Sequence, residues 1–518
     1  MKVTDQVATN RRQTAFAVFA KSMFLLGICW FAVAGAQAQT FTVLHTFTGT
    51  GGDGATPFGG VVKDAGGNLY GVTLGGGSGY GTIYKLDPAG NQTVLHTFNL
   101  TDGSGPLGTL VSDSAGKFFG ITAVGGAVSD GEVFKLDTTG GLPTLTTLYS
   151  TLQAARGGLA RDAAGNLYGT EFIGGDYTNG VVFKLGIDVS GNPTVPTILH
   201  SFGSVSGDGV NPTSRLLVDA AGNVYGTTEN GLGNACVVFK IDPSANYSIL
   251  HAFTDTPDGA ICEGGVIMDS AGNLYGATFH GGTYGLGTIY KIDSSNHETV
   301  LYSFSGAVTD GAKPSGALAR DAAGNLYGVT MLGGANNLGT IFKLDPAGHL
   351  TVLHSFGTDA NDPSSDMLLD NGVLYGTTTL GGAANLGAVY SLTIPVPVLT
   401  FNSFSAQVVA SQALHATAAG GEFDPGTTTI DPTTQAVSLT VAGANSFSWT
   451  FPAGSFRKIA GLYVAAGTNI GMALTPLAHG KWAYTAALAH FLPGSPTATV
   501  TLSVGAESGT ATVNVTTF

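Results

Sequence analysis

The chain has 518 residues, of which 79 are glycine, 43% are hydrophobic and only 10% are charged. These values exclude a disordered low-complexity chain and a collagen, and they imply either two or more units or one large, turn-rich repetitive one. The formal net charge of -14 leaves no basic surface to neutralise phosphates, so nucleic acid is excluded as a partner class.

The N-terminus carries Lys2, Arg11, Arg12 and Lys21, then an apolar run from Met23 to Ala34, then Ala36-Gln37-Ala38. A basic region, a hydrophobic segment too short to span a bilayer comfortably and a small-x-small site read as a signal peptide over residues 1–38. The expectation is export to the periplasm, the cell surface or the medium, with no transmembrane segment in the mature chain. Arg11-Arg12 opens like a twin-arginine signal, but Gln13-Thr14-Ala15 does not continue it, so the general route is expected. Cys29 follows Ile28 where lipid attachment needs a small residue, so it leaves with the signal peptide.

From Thr40 the sequence repeats. Asn68-Leu69-Tyr70-Gly71 recurs at 166–169, 223–226, 273–276 and 325–328, with variants at 117–120 and 373–376, making seven copies at a spacing of about fifty residues. Each copy holds four short runs rich in Val, Ile, Thr, Tyr and Phe, which read as strands. In the first copy these are A (59–63), B (68–73), C (81–86) and D (93–98). Tight Asp/Gly turns join A to B and C to D, as in Asp64-Ala65-Gly66-Gly67 and Asp87-Pro88-Ala89-Gly90. Longer Gly-rich links join B to C and D to A. Four antiparallel strands make one blade, so the fold expected for residues 40–393 is all-β, a seven-bladed β-propeller with hairpins on one face and variable loops on the other. Phe41 to Phe47 is a D strand standing before the first A, while the seventh copy ends after its C strand at 387–392. The N-terminal segment therefore supplies the outer strand of the last blade and closes the ring.

Tyr-Gly-x-Thr, a Gly-Gly loop, Gly-Thr-Ile-Tyr-Lys-Leu-Asp-Pro-Ala-Gly and Thr-Val-Leu-His-Thr-Phe, as they stand between Tyr70 and Phe98, resemble the GloVer tandem repeat of exported bacterial proteins. The resemblance spans all seven copies. It implies export with surface display or release, and it carries no established reaction. The C-terminal part does not read as the short sorting tail that such proteins often have, so the resemblance implies no particular mode of anchoring.

After a linker at 394–397 the repeat stops. Alternating runs at 436–441, 446–451, 482–487 and 498–504 predict an immunoglobulin-like β-sandwich over 398–518. A membrane barrel is disfavoured because Thr516 and Asn514, in step with Phe518, are polar.

Candidate chemistry is sparse. His45, His96, His200, His251 and His354 recur in the D strands, with Tyr149 and Tyr302 in the other two, and repetition around the ring marks a structural role. The same holds for the C-strand lysines (Lys85, Lys135, Lys184, Lys240, Lys291 and Lys343) and for the A-strand aspartates (Asp64, Asp113, Asp162, Asp219, Asp269, Asp321 and Asp370). Asp53, Asp102, Asp208, Asp258 and Asp310 in the D-to-A loops are candidate ligand-binding residues, as a carboxylate ring for Ca²⁺ or a basic partner, set against plain Asp-Gly turn chemistry. No other cofactor is implied. Breaks in the repeat are better leads: the Thr ending strand B becomes Glu171 in the third copy, Gly60 becomes Arg215 in the fourth, and the third D-to-A loop is shortened around Arg156. These three are the candidate catalytic residues of a lyase or glycosidase at the channel mouth, although a carboxylate with one cation lacks the second placed group that acid–base catalysis needs. Cys236 and Cys262 lie on the looped face of adjacent blades, a candidate disulfide. The function expected first is a non-enzymatic binding scaffold that recognises a protein or glycan through the looped face.

Overall fold

The computed structural model describes residues 39–394 except 114, 151–154, 189–191 and 232–234, and the strand backbones between residues 403 and 517. The signal peptide expected at 1–38 and linker residues 395–397 lie outside the described residues. Gln39–Ile394 forms one compact unit. It contains seven antiparallel blades and, among the described residues, no helix.

Blade one has strands A Val62–Lys63, B Leu69–Thr73, C Thr82–Leu86 and D Gln92–Thr97. The other blades repeat this order, and the last is completed by Thr40–Thr46, whose Thr40 pairs with Thr393 and Thr46 with Ala388. The hydrophobic core lies between consecutive blades: Tyr70, Val72, Ile83 and Phe98 of blade one pack on Leu110, Phe118, Phe134 and Leu136 of blade two. Strand A is shorter in blade one than the five-residue run in the sequence. Its first half turns to the axis and bonds to neighbouring blades instead, with Thr377 Oγ1 donating to the Gly59 carbonyl (2.8 Å) and the Gly60 N–H to Thr109 Oγ1 (2.9 Å).

The Tyr-Gly glycine is required by packing rather than by backbone conformation. A Cβ at Gly226 would lie 2.6 Å from both Leu216 and Phe239, and one at Gly120 or Gly169 would lie 2.5 Å from Phe134 or Phe183. The glycine thus makes room for the large C-strand aromatic of its own blade. Gly226→Ala is expected to cost about 1–3 kcal/mol by overpacking, read as a lowered Tm. Gly140→Ala, where a Cβ meets nothing within 4 Å, is the control and should change Tm little.

A second glycine column couples blades. Gly81, at φ +95°, would with a Cβ come 2.5 Å from Pro106 of the next blade; Gly287 faces Pro314 and Gly339 faces Pro363 in the same way. At the junction of blades four and five Cys236 stands in the glycine column and Cys262 in the proline column. The structure joins them in a disulfide with Cα atoms 5.6 Å apart, both side chains fully buried.

The second unit comprises residues 395–518. Its described strands include Val437–Ala442, Phe447–Phe451, Trp482–Ala489 and Thr497–Val504, at the positions of the four runs predicted. Val437–Ala442 pairs antiparallel with both Phe447–Phe451 and Thr497–Val504, while Trp482–Ala489 lies between Ala416–Asp424 and Ile470–Pro476.

Candidate functional site

The hairpin face is built from one motif. Asp64 accepts the Asn68 N–H (2.8 Å), Asn68 Nδ2 (2.7 Å) and the Tyr70 hydroxyl (2.9 Å), and Asp162, Asp219, Asp269 and Asp321 do the same in their blades. This accounts for Asn-Leu-Tyr: the Asn caps the turn and the Tyr clamps its carboxylate. Burial, with the Asp64 bond, pushes the Tyr70 hydroxyl up to about 12. Lys85, Lys184 and Lys240 lie over the rings of Tyr70, Tyr168 and Tyr225, so the described lysine contacts are cation–π packing.

On the looped face the D-strand histidines and the loop aspartates turn out to be partners. His96 Nε2 lies 3.2 Å from Asp102, His200 3.0 Å from Asp208, His251 3.0 Å from Asp258 and His45 3.4 Å from Asp53, while the Tyr302 hydroxyl donates to Asp310 (3.2 Å). A β-bulge in each D strand, as at Leu95 between Val94, paired with Tyr84, and His96, paired with Ile83, turns the ring toward the loop. Each aspartate also accepts its own loop's N–H groups: Asp208, fully buried, takes those of Gly203 and Gly209. Asp53, Asp102, Asp208, Asp258 and Asp310 are therefore bound within separate loops and not gathered around one point. Among the described residues no group of three or more His, Cys, Asp or Glu side chains is placed to hold a metal ion. His354 differs: it stacks on Phe41 with ring centroids 3.7 Å apart, and burial pushes its pKa down.

At the axis the looped face sinks into a cavity of about 450 Å³. Four positions of the repeat line it, one of them the column of Gly59, Gly108, Gly316 and Ser365. The residue after the strand-B Thr gives Leu74, Ala123 and Glu229. The residue after the loop Pro gives Phe58, Leu107, Arg156, Thr213, Glu263, Ser315 and Ser364. The position two further on gives Thr109, Gly158, Arg215, Gly265 and Asp366. The floor is an ionic crossing of the axis: Arg215 Nη1 lies 3.7 Å from Asp366 Oδ2, which also accepts Thr109 Oγ1 (2.8 Å), while Asp366 Oδ1 accepts the Ala317 N–H (2.9 Å). Above it, the Arg156 guanidinium lies 4.1 Å from the centroid of the Phe172 ring. Glu263 opens into the cavity yet is hemmed by its walls. That burial pushes its pKa up, the neighbouring Glu229 carboxylate adds to the rise, and Lys313 opposes it.

Arg156 and Arg215 thus lie where the sequence reading puts them, but Glu171 does not. It is 1% exposed, bridges Ala155 through the backbone and adds to the rise that burial gives the pKa of Tyr149; it is not among the residues lining the cavity, and Arg215 pairs with Asp366. Strand alternation is the reason. The strand-B Thr column points into the blade, where Thr73 Oγ1 meets Thr82 Oγ1 at 2.8 Å, and the next residue faces the axis. Glu229, Glu263 and Asp366, missed from sequence, replace Leu74, Phe58 and Gly60 of the first copy, so aligning those three columns finds them. Glu132, also missed, is 1% exposed and accepts the Ala127 N–H (2.8 Å) and the Ser150 hydroxyl (3.1 Å), holding a loop of blade two.

No curated protein matches this sequence. Among solved structures the chain is similar to the BP39L lectin from Burkholderia pseudomallei at 8% identity, covering 68% of this chain and 99% of that one with a TM-score of 0.47. It is similar to a PL25 ulvan lyase at 9% identity, over 66% and 94% with a TM-score of 0.41. It is also similar to dipeptidyl peptidase 4 of Porphyromonas gingivalis at 12% identity, covering 72% of this chain but 56% of that one, with a TM-score of 0.34. The model of the Gloeobacter/Verrucomicrobia repeat matches residues 31–236 and 217–438. With matches across all seven blades, the chain belongs to the Gloeobacter/Verrucomicrobia repeat family.

Proposed function

We propose that the chain is an exported, non-enzymatic binding protein that seats a protein or glycan ligand in the axial bowl of its looped face, while the C-terminal strands form a β-sandwich that spaces or attaches the ring. One observation carries this reading. The departures from the repeat gather in the columns that face the axis, where Arg156, Arg215, Glu229, Glu263 and Asp366 replace glycine and apolar residues around a single cavity. A ring of equal blades offers a ligand only equivalent positions, so an asymmetric ligand can be oriented by these departures alone. The signal-like N-terminus supports export.

The test is binding of the mature chain to arrayed glycans and peptides. Arg156→Ala and Glu263→Gln should each weaken the best hit by about tenfold, the loss of a charge-assisted hydrogen bond, with no fall in Tm. Hits indifferent to both variants would sink the reading. The proposal needs no cofactor, so a chelator should leave binding intact.

A lyase or glycosidase is the second reading, now moved from Glu171 to Glu263. It is favoured by the place of Glu263 on the cavity wall, where burial and the Glu229 carboxylate raise its pKa, the direction a carboxyl proton donor needs. Product formed from a bound glycan, lost in Glu263→Gln while binding persists, would favour it.

A further inference from the structure

The polar and apolar residues of the bowl occupy different arcs. Blades one and two contribute Phe58, Leu74 and Leu107, with Phe58 46% and Leu74 37% exposed. Blades four to seven contribute Thr213, Glu263, Ser315 and Ser364, with Glu229 beside Glu263. Among the described residues neither Thr213 Oγ1 nor Ser364 Oγ has a hydrogen-bond partner. Ser315, 7% exposed, is a third hydroxyl residue of the same lining. Enclosed hydroxyls without partners are costly unless a ligand satisfies them.

Resting on the binding role proposed above, we infer that the bowl takes the terminal residue of a glycan, and that this sugar is neutral or carries an amino group rather than a carboxylate. A pyranose has apolar C–H faces and a hydroxyl-bearing edge, which match the Phe58–Leu107 arc and the Thr213–Ser364 arc respectively. Hydroxyl side chains donate and accept, and Glu229 and Glu263 add acceptors for neighbouring sugar hydroxyls. The crossing of Arg215 and Asp366 spans the floor, which suits a ligand that enters by its end. With that pair set aside, Glu229 and Glu263 outnumber Arg156 among the lining charges, and Lys313, which does not line the cavity, offsets part of the charge at Glu263. The surplus on the lining is negative, which disfavours a uronic acid and suits an amino sugar.

Calorimetric titration of the mature chain with the disaccharide of glucosamine, cellobiose, digalacturonic acid and a lysine-ended tripeptide tests this. Both of the first two should bind, the glucosamine disaccharide more tightly, and digalacturonic acid should not. Phe58→Ala and Glu263→Gln should each weaken sugar binding by about tenfold, and Ser315→Ala by about fivefold, with folding checked by circular dichroism. Phe58 and Glu263 face solvent, so their variants keep the test sound if Ser315→Ala does not fold. Digalacturonic acid binding as tightly as cellobiose, or sugar binding untouched by all three variants, overturns the inference. Binding of the tripeptide alone, sensitive to the same residues, overturns the sugar assignment and leaves the binding bowl standing. Silence with all four probes and with the arrays overturns both.

Discussion

Replacing Cys236 and Cys262 together with serine is expected to lower stability by about 3.5 kcal/mol, the loop-closure value for a sequence separation of 26. The structure adds a sharper expectation. These cysteines occupy the columns that hold Gly81 and Pro106 at the junction of blades one and two, so the pair Cys236→Gly and Cys262→Pro restores the contact made between other blades. That variant should melt above the double serine and below the disulfide-bonded protein. Thermal denaturation of the three proteins decides it. If the glycine–proline variant melts no higher than the serine one, the glycine–proline contact is not what couples the blades.

Acid should unfold the ring steeply below about pH 4. Burial alone would raise the pKa values of Asp64, Asp162, Asp219 and Asp269 in the hairpins and of Asp53, Asp208 and Asp258 in the loops. Hydrogen bonds outweigh it and hold all seven below the ordinary carboxylate value of 3.8. A carboxylate with a lowered native pKa contributes stability that is complete above its unfolded value and is lost as pH falls through the native one. Seven such groups therefore leave stability flat between neutrality and pH 5, and then remove it together. Glu263 and Glu298, raised by burial, act in the opposite sense and gain stability as pH falls through their native values, but they are two against seven. Denaturant midpoints measured from pH 7 to pH 3 check this. A midpoint unchanged at pH 3 would show that these hydrogen bonds contribute nothing net, and Asp208→Asn should shift the midpoint at pH 7 while reducing its fall with acid.

The ring was legible because its repeat is dense. Asn-Leu-Tyr-Gly marks strand B in every copy or a variant of it, and the stray Phe41–Phe47 strand can pair only where a D strand is missing. What the sequence concealed were partnerships between columns. His200 and Asp208 stand eight residues apart, one on a strand and one in a loop, and only the bulge that turns the ring makes them a pair. The site was half legible for a related reason. Arg215 stands out as a charge in a glycine column, yet Asp366, in the same column of the seventh copy, is found only by aligning that column through all seven copies. Glu171 was chosen because it breaks a conspicuous Thr, but a one-residue step along a strand exchanges the interior of the blade for the axis.

The pairing of Thr40 with Thr393 also sets the polarity of attachment. Strand C runs from the looped face to the hairpin face, so the chain enters the ring and leaves it side by side at the hairpin end of the last blade. Both ends of the ring therefore lie on the face opposite the bowl, and neither crosses the mouth of the cavity.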